Sequence, residues 1–168
     1  MQIDVSTLLH NIGERLEISG QSVLEPITIG CNTFGFKKPV DVSVVLTSLG
    51  DSIELTAKAS GEAVADCARC SCSVEVPFEI SLEELLKKST EDNDDSDVVL
   101  FSGSVVDLSD IIADNFALNA PMRVLCKDDC NGLCPVCGAD LNISDCGCEK
   151  DIIDPRFSVL DQLFKDNK

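Results

Sequence analysis

The chain has 168 residues, 44% of them hydrophobic, which suits one globular domain with or without a small appendage. Thirty acidic against 13 basic residues give a formal net charge of −17, which disfavours long-range attraction to nucleic acid because phosphate binding depends on cationic side chains. With seven Phe and no Trp or Tyr, the chain also has few aromatic platforms for stacking on single-stranded nucleic acid. A basic protein is the partner that this composition favours.

The sequence predicts a cytoplasmic protein. Residues 1–6 contain neither the basic nor the apolar stretch of a secretory signal, and no apolar run approaches the roughly 20 residues of a membrane span. Ten cysteines in that context are expected to be thiols or metal ligands rather than disulfides, because the cytoplasm is reducing.

The first eighty residues are predicted to be mainly β-strands. Residues 42–47 and 52–57 flank Gly50 and Asp51, a pair typical of a hairpin turn. Within the second of these segments apolar and polar residues alternate, as in a sheet with one face in solvent. Further along the chain we expect two more strands, at residues 61–66 and 73–80, joined through a cysteine-containing turn.

A short helix is predicted over residues 81–88, because Ser81 can cap its first turn and glutamates follow it. The acidic run at residues 90–97 has nothing to bury. A solvated loop is the simpler interpretation of this run, and a segment that attracts a basic partner is the alternative.

Two more helices are predicted in the last third of the chain. Asp107 can cap the first, which ends at Pro121. Its apolar residues recur at helical spacing: Leu108, Ile111, Ile112 and Phe116. Asp154 and Pro155 begin the second, whose apolar stripe is more typical of a buried face than of a docking face.

These elements predict an α+β fold with an antiparallel sheet, open or barrel-like, and a few helices packed on it. We expect residues 1–120 to form this β-rich domain. Residues 121–168 are expected to form a cysteine-rich zinc module that ends in a helix.

Six of the ten cysteines lie close together in this module: Cys126, Cys130, Cys134, Cys137, Cys146 and Cys148. The Cys134-Pro-Val-Cys137-Gly segment places two thiolates at the spacing of a zinc knuckle. The second pair of ligands is expected from either Cys126 and Cys130 or Cys146 and Cys148. The latter pair is favoured, with Cys130 able to replace one of its members. Zinc is favoured over an iron–sulfur cluster, free thiols or a redox dithiol, and we expect one structural ion.

A second cysteine group occurs at Cys67, Cys70 and Cys72. Strand-like sequence on both sides predicts a turn there rather than the helix N-terminus of a thioredoxin-type site, and either a metal pair or structural thiols fit it. Isolated Cys31 is predicted to be a small buried residue. The single histidine, His10, is far from the cysteines, so neither a catalytic zinc nor Cys–His catalysis is indicated.

Read in order, these motifs resemble the YceD family, the large ribosomal RNA subunit accumulation proteins. Cys67-Ala-Arg-Cys70 is similar to the family's mid-chain motif. The segments 120–138 and 140–148, with Asp154-Pro-Arg156, are similar to its cysteine-rich block. The resemblance implies a role in accumulation or stability of the 23S ribosomal RNA.

Four basic residues lie beside the matched motifs: Arg69, Arg123, Lys127 and Arg156. They are candidates for a small basic patch, and the alternative is that they offset the negative charge of a zinc ion held by four thiolates.

The function favoured by the sequence is a non-enzymatic ribosome-biogenesis factor that binds a ribosomal protein or a large-subunit ribosomal RNA precursor, with no small-molecule substrate. A thiol-based redox protein or sensor using the cysteine pairs is the main alternative. An RNA-processing enzyme is a third, for which the sequence offers no recognisable catalytic set.

Overall fold

The computed structural model describes residues 1–89 and 98–149. The acidic run at 90–97 and the helix predicted after Asp154 lie outside these residues. The described part contains nine strands and one helix, with these bounds: β1 Gln2–Asp4, β2 Arg15–Ser22, β3 Ile27–Ile29, β4 Asn32–Phe36, β5 Val40–Ser48, β6 Ser52–Asp66, β7 Ser73–Lys88, β8 Val99–Phe101, β9 Val105–Asp107 and α1 Leu108–Asn119. No described helix is long and apolar enough to cross a membrane.

The main sheet has seven strands and is built around β6. One edge of β6 pairs first with β5 and then with β4, and its other edge pairs with β7 along the whole strand. All these pairings are antiparallel, and only the short β8 is parallel to its neighbour β7. The described strands do not close into a barrel, so the fold is a mostly antiparallel open sheet with one helix.

The predicted hairpin is confirmed, since β5 and β6 pair from Ser48 opposite Ile53 onward, and Gly50 takes a positive φ of 100° in the turn. The two strands expected at 52–57 and 61–66 are one continuous strand. The register of β6 with β7 runs unbroken from Ser52 to Asp66, so the small residues between the two segments do not interrupt it.

The helix predicted over residues 81–88 is wrong, because this segment is the second half of β7. Ile80, Leu82 and Leu86 are buried and are separated by even numbers of positions, so they lie on the same face of the strand, the one that meets the core. Partners on β6 satisfy the backbone of this segment, and Leu82 lies opposite Ala57. Long-range strand pairing, and not the local capping pattern, therefore determines the structure of this segment.

The helix predicted after Asp107 is confirmed. It spans Leu108–Asn119, and the Asp107 side chain accepts a hydrogen bond from the backbone N–H of Ser109. Its buried residues are the four predicted from spacing: Leu108, Ile111, Ile112 and Phe116.

The apolar core lies between the inner face of the sheet and α1. Phe34, Phe36 and Phe78 each contact Phe116 edge-to-face, with ring centroids 4.9–5.4 Å apart. This geometry suits the quadrupoles of aromatic rings and adds to the burial of their area. The core thus anchors α1 on the sheet and fixes the position from which the cysteine-rich segment leaves the helix.

Candidate metal centres

Eight of the ten cysteines form two groups of four whose sulfur atoms all lie within 4.8 Å of one another. The first group is Cys67, Cys70, Cys126 and Cys130, and the second is Cys134, Cys137, Cys146 and Cys148. Each group could hold a metal ion.

The first two thiols of the first group sit in the tight turn between β6 and β7. The N–H of Cys67 donates to the carbonyl of Cys72 (2.8 Å), and the N–H of Ser71 donates back to the carbonyl of Cys67 (2.9 Å). Ser71 adopts a positive φ of 57°, a conformation that non-glycine residues rarely take. The predicted turn is therefore present, and it directs Cys67 and Cys70 toward the chain segment that follows α1.

The sulfur positions of the first group fit a tetrahedral ion. Cys67 Sγ lies 3.9 Å from Cys130 Sγ, and Cys70 Sγ lies 3.6 Å from Cys126 Sγ. Four sulfurs at a zinc–sulfur distance of about 2.3 Å stand about 3.8 Å apart at tetrahedral angles. A cluster of several irons would spread its thiolates more widely than a single ion does.

Polar groups around the first group support thiolates. The N–H of Cys126 points at Cys67 Sγ (3.4 Å), and the side-chain amide of Asn142 points at Cys130 Sγ (3.4 Å). The Arg69 guanidinium donates to the carbonyl of Cys130 at 2.6 Å. Donors of this kind orient the ligands of a metal site and partly neutralise their charge.

The thiols of the first group titrate unlike isolated cysteines. Backbone N–H groups of Arg69 and Cys70 lower the pKa of Cys67 to about 6, whereas burial raises the pKa of Cys126 to about 11. Neighbouring thiols that share one site oppose each other's ionisation, and a bound cation would remove that opposition.

The second group begins in a knuckle. The N–H of Gly138 donates to the carbonyl of Cys134, and the N–H of Cys134 donates to the carbonyl of Ala139, both at 2.8 Å. N–H groups of Cys137 and Val136 lower the pKa of Cys134 to about 6. A hydrogen bond with Cys137 raises the pKa of Cys148 to about 12, so one thiol is again favoured and another disfavoured as the anion.

Residues 55–164 match the family described as large ribosomal RNA subunit accumulation protein YceD. The chain belongs to the YceD family.

Curated relatives share this similarity along much of their length. An uncharacterized protein of Mycobacterium tuberculosis is 27% identical over 170 residues, which cover 98% of this chain and 81% of the relative. The uncharacterized protein YlbN of Bacillus subtilis is 32% identical over 108 residues, 63% of each chain. An uncharacterized protein of Mycobacterium leprae is 26% identical over 133 residues, 75% of this chain and 59% of that one. No solved structure matches the chain.

The YceD match spans both cysteine groups, and the structure distributes the predicted ligands between them. Cys134, Cys137, Cys146 and Cys148 come together as the favoured quartet. The other two members of the cysteine-rich block, Cys126 and Cys130, do not join them. They meet Cys67 and Cys70, so the chain has two candidate centres where the sequence led us to expect one ion.

The two cysteines outside these groups are exposed. The prediction that Cys31 is buried is wrong, because it lies in the turn between β3 and β4 with its side chain in solvent. Cys72 lies beside the first group, with its sulfur 3.3 Å from Cys70 Sγ.

The basic residues of the YceD-like motifs differ in their surroundings. Arg69 donates to main-chain carbonyls of the first group's own segment, those of Cys130 and Asp128. Arg123 and Lys127 are exposed on the same segment. Arg156 lies outside the described residues.

Proposed function

We propose that this YceD-family protein is a non-enzymatic, cytoplasmic ribosome-biogenesis factor that supports accumulation of the 23S ribosomal RNA. The observation that carries the proposal is the family match over residues 55–164, which includes both cysteine groups and most of the long hairpin β6–β7. The family description names accumulation of an RNA and no reaction.

A basic ribosomal protein is the partner that the charge of the protein favours. The outward faces of β6 and β7 carry six exposed carboxylates against exposed Lys58 and half-buried Lys87; they are Glu54, Glu62, Asp66, Glu75, Glu79 and Glu83. With a net charge of −17, such a surface attracts cationic chains and repels phosphate. The protein would then shield a ribosomal protein until it joins the precursor particle.

The ion proposed for Cys134, Cys137, Cys146 and Cys148 is a structural zinc. All four donors are thiolates, which favour zinc over hard cations, and a closed set of four leaves no position for a catalytic water. Few apolar side chains of the described residues surround this segment, so the free energy of metal binding would supply the stability that a core does elsewhere.

Loss of the protein from the organism that makes it tests the proposed role. We expect the ratio of 23S to 16S ribosomal RNA to fall and to return when the intact gene is restored. Capture of the tagged protein with crosslinking should recover a basic ribosomal protein. Recovery of precursor RNA alone would place the contact on RNA, and an unchanged ratio of the two RNAs would contradict the proposal.

A thiol-based redox protein or sensor is the second candidate, and the contact between Cys70 and exposed Cys72 favours it. It predicts a reversible disulfide and high thiol reactivity in the metal-loaded protein. Slow alkylation of Cys70 with metal bound would exclude this candidate, because a coordinated thiolate is protected.

A further inference from the structure

We propose that Cys67, Cys70, Cys126 and Cys130 hold a second zinc ion, and that this ion is a clasp fastening the segment after α1 to the β6–β7 turn. The site would hold its ion whichever partner the protein binds, so it does not depend on the role in ribosome assembly.

The two halves of the first group come from distant parts of the chain. Cys67 and Cys126 are 59 residues apart, and α1 lies between them. All four ligands of the second group, in contrast, lie between Cys134 and Cys148. An ion in the second group closes a local loop, whereas an ion in the first joins the sheet to the cysteine-rich segment.

A seam of backbone hydrogen bonds already aligns these two parts. The N–H of Ala68 donates to the carbonyl of Val124 (2.9 Å), and the N–H of Leu133 donates to the carbonyl of Arg69 (3.0 Å). The Arg69 side chain bonds the segment between these points through the carbonyl of Cys130. The thiols are thus held where an ion can bind all four without rearrangement of the backbone.

Apolar packing at this junction is slight. Val124 is buried in the main core, but beyond it, among residues 1–89 and 98–149, only half-buried Leu125 and Val74 pack against the buried thiols. A contact this small cannot fix a segment against solvent by burial alone, because the stabilisation from burial scales with the apolar area removed from water. Binding of zinc by four thiolates contributes far more to the stability of such a segment.

Counting metal and mapping thiols in the wild-type protein test the clasp directly. Mass spectrometry under native and denaturing conditions should find two zinc ions per chain. Alkylation of the zinc-loaded protein, followed by peptide mapping, should label Cys31 and Cys72 and leave the eight grouped cysteines unmodified. One ion per chain, another metal, a disulfide within the first group, or rapid labelling of Cys67 and Cys126 would overturn the proposal.

Limited trypsin digestion tests the fastening itself, because Lys127 lies between two of the ligands. We expect the double variant Cys67→Ser/Cys70→Ser to retain one zinc and to be cut after Lys127 at least ~10-fold faster than wild type, since local opening controls proteolysis. Cys137→Ser/Cys148→Ser should also lose one zinc but keep the wild-type rate of cleavage after Lys127.

Cys72→Ser is the matched control for the turn, because this thiol is adjacent to the group but outside it. It should keep two zinc ions and wild-type protection of Lys127. Equal cleavage after Lys127 in all variants would contradict the clasp. If the double variant does not fold, the metal count and thiol map of the wild-type protein decide.

Discussion

Gly132 lies where the cysteine-rich segment touches the β6–β7 turn. Its φ is +74°, and a Cβ there would stand 2.9 Å from the carbonyl oxygen of Arg69, closer than real Cβ atoms approach. Gly132→Ala should weaken zinc retention by the first group by more than the ~1–2 kcal/mol of left-handed strain alone, because Arg69 must also move. Competition with a chelator measures this loss.

Gly138→Ala is the control for that experiment. Its φ is +75°, nearly the same, but nothing lies within 4 Å of the added Cβ. The strain is therefore matched and the collision is absent. If Gly138→Ala weakens zinc retention by the second group as much as Gly132→Ala weakens it in the first, the approach to Arg69 does not matter.

At the residue scale the spacing of the cysteines predicted the local grouping of thiols better than the distant one. The knuckle at Cys134 and Cys137 has a spacing that only a local turn is needed to satisfy. Cys126 and Cys130 are four residues apart, but the two thiols that complete their group, Cys67 and Cys70, are brought to them by the β6–β7 turn and by the course of the chain after α1. Spacing carries no information about such contacts. The arginine of the Cys67-Ala-Arg-Cys70 motif could have indicated the link between the two segments, since its side chain donates a hydrogen bond to the carbonyl of Cys130.

At the scale of elements, α1 depends on its cap. The Ser109 N–H bonded to Asp107 lowers the pKa of this carboxyl to about 2. Because the folded pKa is below the unfolded value of 3.8, the stabilisation is complete above about pH 4 and is lost as the pH falls toward 2. Asp107→Ala should cost about 1 kcal/mol at pH 7, measured by urea unfolding.

The variant Asp107→Asn distinguishes the contribution of the capping hydrogen bond from that of the carboxylate charge. Asparagine caps a helix about as well as aspartate but does not titrate in this range. The difference in stability between wild type and this variant should therefore narrow or reverse between pH 4 and pH 2. Comparing the variants at each pH cancels the loss of thiolate-bound metal in acid. A difference that is constant with pH would contradict the lowered pKa.

Elements defined by local pattern were predictable, and those defined by pairing were less so. The helix at 108–119 has helical periodicity and a cap that agree. Residues 81–88 also have a cap-like start, and their apolar residues Leu82, Leu85 and Leu86 have helical spacing, yet the segment is a strand. Pairing with β6, in which Leu82 and Leu86 are buried, decided the outcome. The continuity of β6 is supported both by its unbroken register with β7 and by an alternation of inward and outward residues that runs from Ile53 to Ala65.

At the scale of the whole molecule, the negative surface makes the proposed partnership testable. Glu79→Lys on the outward face of β7 should reduce capture of a basic ribosomal protein severalfold and make the remaining binding less sensitive to salt, because an attractive charge becomes repulsive. Glu25→Lys, an exposed residue between β2 and β3, changes the net charge equally away from that face. Equal effects of the two substitutions would mean that net charge alone, and not this face, governs binding.

Metal removal should separate the two parts of the molecule. The described main core contains no cysteine: its buried side chains come from the strands, from α1 and from a few connecting residues, namely Val5, Leu8, Leu24 and Val124. The cysteine-rich segment, in contrast, packs few apolar side chains around its thiols. A chelator at neutral pH should therefore leave the β-sheet signal in far-ultraviolet circular dichroism nearly unchanged while residues 126–148 lose protection from hydrogen exchange.

The set of amides that lose protection from hydrogen exchange distinguishes a clasp from a cooperative single domain. With a clasp, amides of the second group and of the segment at 126–133 become exchangeable, while amides at the centre of β6 and β7 keep wild-type protection because their partners are in the metal-free core. If chelation instead exposed the whole sheet, the ions would be part of the global folding unit, and the sheet's own burial would be insufficient to hold it. Ribosomal association of the chelated protein would then report loss of fold, whereas with an intact sheet it reports whether the cysteine-rich segment itself takes part in binding.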